Sequence, residues 1–75
     1  MNWQRHISSD PNVLFGKSVI KGTRVPVDLI LEKLAAGYAN RDLLATYLKI
    51  TAADIQACLL YAADNAKHER VIAVG

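Results

Sequence analysis

Gly16-Lys17-Ser18 is the first place in this chain that invites a chemical reading. A glycine followed by Lys-Ser closes a phosphate-binding loop, in which backbone N–H groups cradle phosphates and the lysine reaches them. That loop needs another glycine five residues before Gly16, where the chain has Pro11. It also needs a helix directly after the Lys-Ser pair, and here Val19 and Ile20 signal a strand. The spacing therefore argues against nucleotide binding. What remains is a basic stretch, residues 16–26, with three of the nine Lys+Arg residues and no acid. Its chemistry would be phosphate contact by Lys17, Lys21 and Arg24, with Thr23 assisting and Arg5 upstream. The plainer alternative is a solvated strand face.

No other constellation suggests catalysis. His6 and His68 are far apart and read as surface residues, and no metal spacing, paired carboxylates or Ser/His/Asp set stands out. Cys58 falls on an apolar helical stripe with no positive neighbour in sequence, so it reads as inert packing. The expectation is a non-enzyme without cofactor or metal. Trp3, the single tryptophan, is either a flap over a core edge or a partner anchor.

The elements that must position these groups have little to work with. Seventy-five residues make one domain. A chain this short buries only about 60–65% of its unfolded surface. One cysteine allows no internal disulfide, yet the apolar fraction is 52%. Self-association would cover the surplus, so a homodimer is expected. The free thiol, the polar N-terminus and the lack of a span-length apolar run suggest a cytoplasmic protein without membrane contact. Residues 1–26 carry Arg5, Lys17, Lys21 and Arg24 against Asp10, a balance of +3, while residues 27–75 sum to −1. The positive field lies on the N-terminal third.

Residues 1–15 read as irregular or weakly extended, with Ser8–Asn12 as a turn and Phe15-Gly16-Lys17 as a second. Ser18–Ile20 and Thr23–Val25 read as two strands of a ribbon about Lys21-Gly22. Within the single domain, residues 5–26 form the irregular segment and ribbon, 27–67 a three-helix unit and 68–75 a short apolar tail. Helix one should run from Val27 to Ala36, with Val27, Ile30, Leu31, Leu34 and Ala35 on one stripe and Gly37 at its end. Leu29 lies off that stripe and is an interface candidate. Helix two should start at an Asn40 cap and reach Leu48. Helix three should start at a Thr51 cap answered by Asp54. Ile55, Cys58, Leu59 and Ala62 form its first apolar stripe, and Ala57, Leu60 and Tyr61 a second. Two apolar sides again suggest a dimer.

Ala45, Leu48, Ile50, Thr51, Ile55 and Leu59 have the spacing of a helix-turn-helix, whose capped second helix enters the major groove. A plain packed helix pair shares that spacing. Helix three offers bases only Gln56, since its alanines cannot read base edges and Asp54 and Asp64 repel phosphates. The basic ribbon is the better DNA contact.

The segment Gly16-Lys17-x-Val19-Ile20-x-Gly22-Thr23-Arg24-Val25-Pro26-Val27, with Gly37, Tyr47, Thr51, Asp54-Ile55 and Tyr61-Ala62-Ala63, resembles the domain-of-unknown-function family numbered 433. This family is described as VapB-type, antitoxin-like helix-turn-helix proteins. The resemblance covers about residues 5–65. It implies a mainly α fold, a three-helix homeodomain-like or winged-helix-like domain with a short β-ribbon, often dimeric. It also implies an antitoxin role beside a PIN-like ribonuclease toxin. The family commonly has proline where this chain has Ser18 and Leu48, changes that loosen turns without removing functional groups. Two functions follow as expectations. In the first, a dimeric antitoxin binds operator DNA through Arg5, Lys17, Lys21, Thr23, Arg24 and Gln56. In the second, the fold is a protein-interaction module that engages partners through Trp3, Leu29, Leu60 and Tyr61.

Overall fold

The computed structural model of this protein describes residues 1–68. Its elements are β1 (Ile7–Ser9), β2 (Ser18–Ile20), α1 (Val27–Ala35), α2 (Asn40–Thr46) and α3 (Ala52–His68), with 3-10 turns at Trp3–Arg5 and Leu14–Gly16. The result is a small, mainly helical fold of three helices and one two-stranded antiparallel sheet. The apolar tail around Val71–Val74 lies outside the described residues.

The sheet pairs Ile7 with Ile20, Ser8 with Val19 and Ser9 with Ser18. This corrects the ribbon expected between Ser18–Ile20 and Thr23–Val25, and the irregular reading of residues 1–15. Thr23 and Pro26 supply the reason. The Thr23 hydroxyl donates to the Ile20 carbonyl (2.7 Å) and accepts from the Val25 N–H (3.0 Å), which folds the segment into a tight turn. Gly22 takes a φ of +80° there, a backbone that a Cβ would strain. Pro26 has no N–H to extend a ladder, so pairing on that side stops at one Val19–Pro26 bridge. The other edge of β2 is taken by β1, which sets Ile7 opposite Ile20 in the core.

Helix α1 begins after Pro26, whose missing N–H is one the first turn would leave unpaired anyway. It buries Val27 and Ile30. Gly37, at φ +97°, closes it. Its N–H donates to the Leu34 carbonyl (3.0 Å) and the Tyr38 N–H donates to the Lys33 carbonyl (3.1 Å), a Schellman closure.

Helix α2 starts one residue earlier than expected and ends two residues sooner, at Thr46. Ala39, not Asn40, occupies the cap position, because the Asp42 carboxylate reaches back to accept the Ala39 N–H at 2.9 Å. The helix stops at Thr46 rather than Leu48, because Tyr47 leaves helical geometry and the Ile50 N–H closes a turn onto the Tyr47 carbonyl at 3.1 Å. Leu48 is consequently 85% exposed.

The start of α3 follows the expected cap. The Thr51 N–H donates to the Asp54 carboxylate (2.9 Å) and the Asp54 N–H donates to the Thr51 hydroxyl (3.2 Å). Ile55 and Cys58 are completely buried, but Leu59, placed on the same stripe, is 49% exposed. The second stripe is covered from within the chain. Ala57 is buried, and Tyr61 meets the Trp3 ring edge-on with centroids 5.0 Å apart. Burial on two sides therefore does not itself require a dimer, and Leu60 stays partly exposed. Of the six helix-turn-helix positions, only Ile50 and Ile55 are buried and Thr51 caps α3, while Ala45, Leu48 and Leu59 face outward.

Ile7, Ile20, Ile30, Leu43, Ile55 and Cys58 join sheet and helices in one core. Each large aliphatic side chain so buried contributes roughly 1.5–3 kcal/mol. Among the described residues, no buried side-chain polar atom lacks a partner. Thr23→Val keeps the side-chain size but removes both hydroxyl bonds and leaves the Val25 N–H unanswered. Its expected cost is about 1–3 kcal/mol, read as a lower thermal midpoint by circular dichroism with unchanged helix content.

Candidate functional site

The turn Lys21–Val25 lies across a groove from the α2–α3 connector. The groove has a volume of about 760 Å³. Its apolar lining comes from Val13, Val19, Val25, Tyr47 and Leu48, and its charged groups are Asp10, Arg24 and Lys49. Ser8, Gly22 and Thr23 complete it. Each wall has a local cause. The Thr23 hydroxyl holds one turn, and the Ile50-to-Tyr47 bond holds the connector. On the third side, Asp10 accepts the Asn12 N–H with its carboxylate (2.9 Å) and the Val13 N–H with its carbonyl (2.9 Å).

Arg24 and Lys49 come from separate elements and both stand exposed on this groove. Among the described residues the ion pairs are His6–Asp54, Lys17–Asp28 and His68–Asp64, none of which engages Arg24 or Lys49. Lys49 sits in the connector between α2 and α3. It lies 25 residues from Arg24, and no motif spacing links the two. Tyr47 and Asp10 join the site in the same way, through the fold.

The other basic residues are placed differently. Lys17 pairs with Asp28 at 2.8 Å, and both remain half exposed. Their hydrogen bond raises the Lys17 pKa above its ordinary value and lowers that of Asp28 below the usual carboxylate range. Lys17 is therefore partly neutralised at the start of α1. The exposed Lys21 donates to the Gln4 carbonyl at 3.3 Å. Thr23 has both functions of its hydroxyl engaged within the turn. Arg5 is exposed in the first 3-10 turn, outside the groove lining, and Gln56 is exposed on α3.

The expected partner-binding set is also dispersed. Trp3 is a flap on the core edge, packed on Tyr61. The Tyr61 hydroxyl hydrogen-bonds the Ser18 hydroxyl at 3.0 Å, so this ring is committed within the chain. Leu29 is half-buried on α1, and Leu60 is exposed on α3. His6, read above as a surface residue, is part-buried and bonds Asp54 through Nδ1 at 2.9 Å. The reason is the pairing of β1, which draws the N-terminal segment onto the start of α3.

Together these features define a three-helix domain whose β-turn and helix connector enclose a basic-rimmed groove. Residues 7–62 match the family described as protein of unknown function DUF433, and the chain belongs to that family. It is 34% identical over 59 residues to the uncharacterized protein y4eO of Sinorhizobium fredii, a match covering 79% of this chain. The matched region is 27% of that relative, so the chain spans about a quarter of its length. The crystal structure of a DUF433 member protein from Anabaena variabilis superposes with a TM-score of 0.78 at 33% identity. That likeness covers 85% of this chain and 63% of the other.

Cys58 is set apart from the groove by complete burial, which pushes its thiol pKa up to about 11. The folded state thus favours the protonated thiol. Its contribution to stability is intact below a pH of about 9 and is lost as pH rises toward about 11. A disulfide reagent at pH 8 is expected to leave Cys58 unlabelled in the native protein and to label it in denaturant. The loss of stability above pH 9 should be smaller in Cys58→Ala.

Proposed function

We propose that this protein is an antitoxin-like member of a toxin–antitoxin pair, a dimeric DNA-binding protein of helix-turn-helix type. It would neutralise a PIN-like ribonuclease, as the family resemblance implies, and regulate its own operon. The observation that carries the DNA half is the placement of Arg24 and Lys49 on one groove without acidic partners among the described residues. Phosphate contact by such side chains releases counterions and makes binding fall with salt. Lys21, exposed on the same turn as Arg24, adds a third cation, and Arg5 can extend the track. Lys17 takes part less, because Asp28 already holds it.

Helix α3 supports this reading as scaffold more than as reader. Its Thr51–Asp54 box makes a well-defined helix start after a short connector, and Gln56 is the outward group suited to a base edge. Binding would therefore be strong in its electrostatic part and modest in sequence preference. A gel shift with the protein's own promoter at low salt should show a complex. Lys21→Ala/Arg24→Ala, and Arg24→Ala/Lys49→Ala, should each weaken it and reduce the salt slope by about two, one per lost phosphate contact. An unchanged slope in both variants, or no complex at low salt, would remove the DNA function.

The alternative is a protein-interaction module that binds no DNA. The observation favouring it is the apolar surface left on this small fold, with Phe15 fully exposed and Leu48 nearly so. Co-expression with the product of the adjacent gene discriminates. If a ribonuclease co-purifies and is silenced while the gel shift shows no complex at low salt, the interaction role stands without DNA.

A further inference from the structure

Phe15 is fully exposed in the loop between β1 and β2, with Leu14 less exposed beside it. The two residues sit at φ +57° and φ +49°. Two successive non-glycine residues in the left-handed region are costly, and such backbone persists only when its surroundings enforce it. Three hydrogen bonds do so here. The Gly16 N–H donates to the Val13 carbonyl (3.1 Å), the Lys17 N–H to the Leu14 carbonyl (3.2 Å), and the Ser9 hydroxyl to the Gly16 carbonyl. The loop thus fixes an aromatic ring in water, where it packs on nothing in its own chain.

That loop borders the groove that carries Arg24 and Lys49. Val13 lines the groove, and two residues of chain put Phe15 no more than about 7 Å beyond it. The exposed Lys21 shares the turn of Arg24, and Lys17 follows Phe15 by two positions. Asp10, the acid on the groove, has its carboxylate on the Asn12 N–H that shapes this loop. In a protein interface a ring of this kind is set among apolar residues that exclude water. Here its exposed loop neighbours are Pro11, Asn12, Leu14 and Lys17, a mixed set. An isolated ring beside several cations matches a polyanion whose bases each present a π-face.

We propose, on the footing of the DNA reading, that Phe15 is a wedge that inserts between two stacked base pairs while Arg24, Lys49 and Lys21 hold nearby phosphates. Apolar side chains inserted in this way partly unstack one base step and kink the duplex. A wedge must itself stay put while the DNA yields, and the hydrogen-bonded left-handed backbone provides that rigidity. The groove stays open to the phosphate backbone, because the ring comes from its border and not from its lining. Pyrimidine–purine steps open easily, whereas A-tracts are stiff. Phe15 therefore selects a deformable step, a preference that Gln56 on α3 cannot supply by reading one base edge.

The test uses the full chain at low salt with two short duplexes of equal length, each carrying donor and acceptor dyes at its ends. One has a central TA step and the other a central A-tract. The wild type should raise energy transfer in the TA duplex as its ends approach, and bind it about tenfold more tightly than the A-tract. Phe15→Asn removes the ring and tolerates the left-handed backbone; the site is fully exposed, so circular dichroism should be unchanged. That variant should bind both duplexes equally and without the rise, yet keep the wild-type salt slope, because the phosphate contacts remain. Phe15→Tyr should restore the bend and the preference. A wild type that binds without bending, or a Phe15→Asn variant that keeps the preference, overturns the wedge and leaves the DNA function standing. So does a Phe15→Asn variant that binds DNA as the wild type does but no longer co-purifies with the product of the adjacent gene, which assigns the ring to a protein partner. Absence of any complex at low salt removes the wedge and the DNA function together.

Discussion

Asp54 places one carboxylate oxygen on the Thr51 amide at the start of α3 and the other on the His6 ring. A single buried-side acid thus caps the longest helix and fixes the N-terminal segment over it. The rest of the structure depends on this junction. Three short helices in so small a chain cannot enclose a core by themselves. The missing cover comes from Ile7 and Trp3, on a segment held both by the β1–β2 pairing and by the His6–Asp54 contact at the helix start.

The sheet holds that segment as well. β1 supplies the ladder that Pro26 denies to the other edge of β2. The residues just beyond the sheet are then free to turn sharply. Thr23 closes one turn with its hydroxyl, and the Asp10 carboxylate and carbonyl close another. Between these turns and the α2–α3 connector lies the groove with Arg24 and Lys49 on its rim. The site is thus made of turns held by local hydrogen bonds and backed by a packed core, which is where binding residues commonly lie.

Much of this was legible from residues alone. The apolar stripe of α1, its glycine closure at Gly37 and the Thr51–Asp54 cap rest on interactions within four or five residues of chain, so spacing reveals them. The turn at Lys21-Gly22 and the family were legible too, but Thr23–Val25 reads as a strand and folds as part of the turn. The strand partner of β2 was hidden. Ile7–Ser9 offers one apolar side chain and two serines, too few for a visible alternation. The end of α2 was hidden as well, because Leu48 looks like one more apolar residue of a helix and is in fact exposed in the connector.

By itself, the sequence determined much of the local structure: which segments coil, how α1 ends and α3 begins, where glycine and proline turn the chain, and which family it joins. Only the tertiary structure decided which residues share a surface. It paired Lys17 with Asp28, tied His6 to Asp54, packed Trp3 on Tyr61, and left Arg24 beside Lys49. The reason is range. Caps and turns are settled by neighbours along the chain, whereas these pairings join residues 11 to 58 positions apart, and that separation leaves no periodic trace in the sequence.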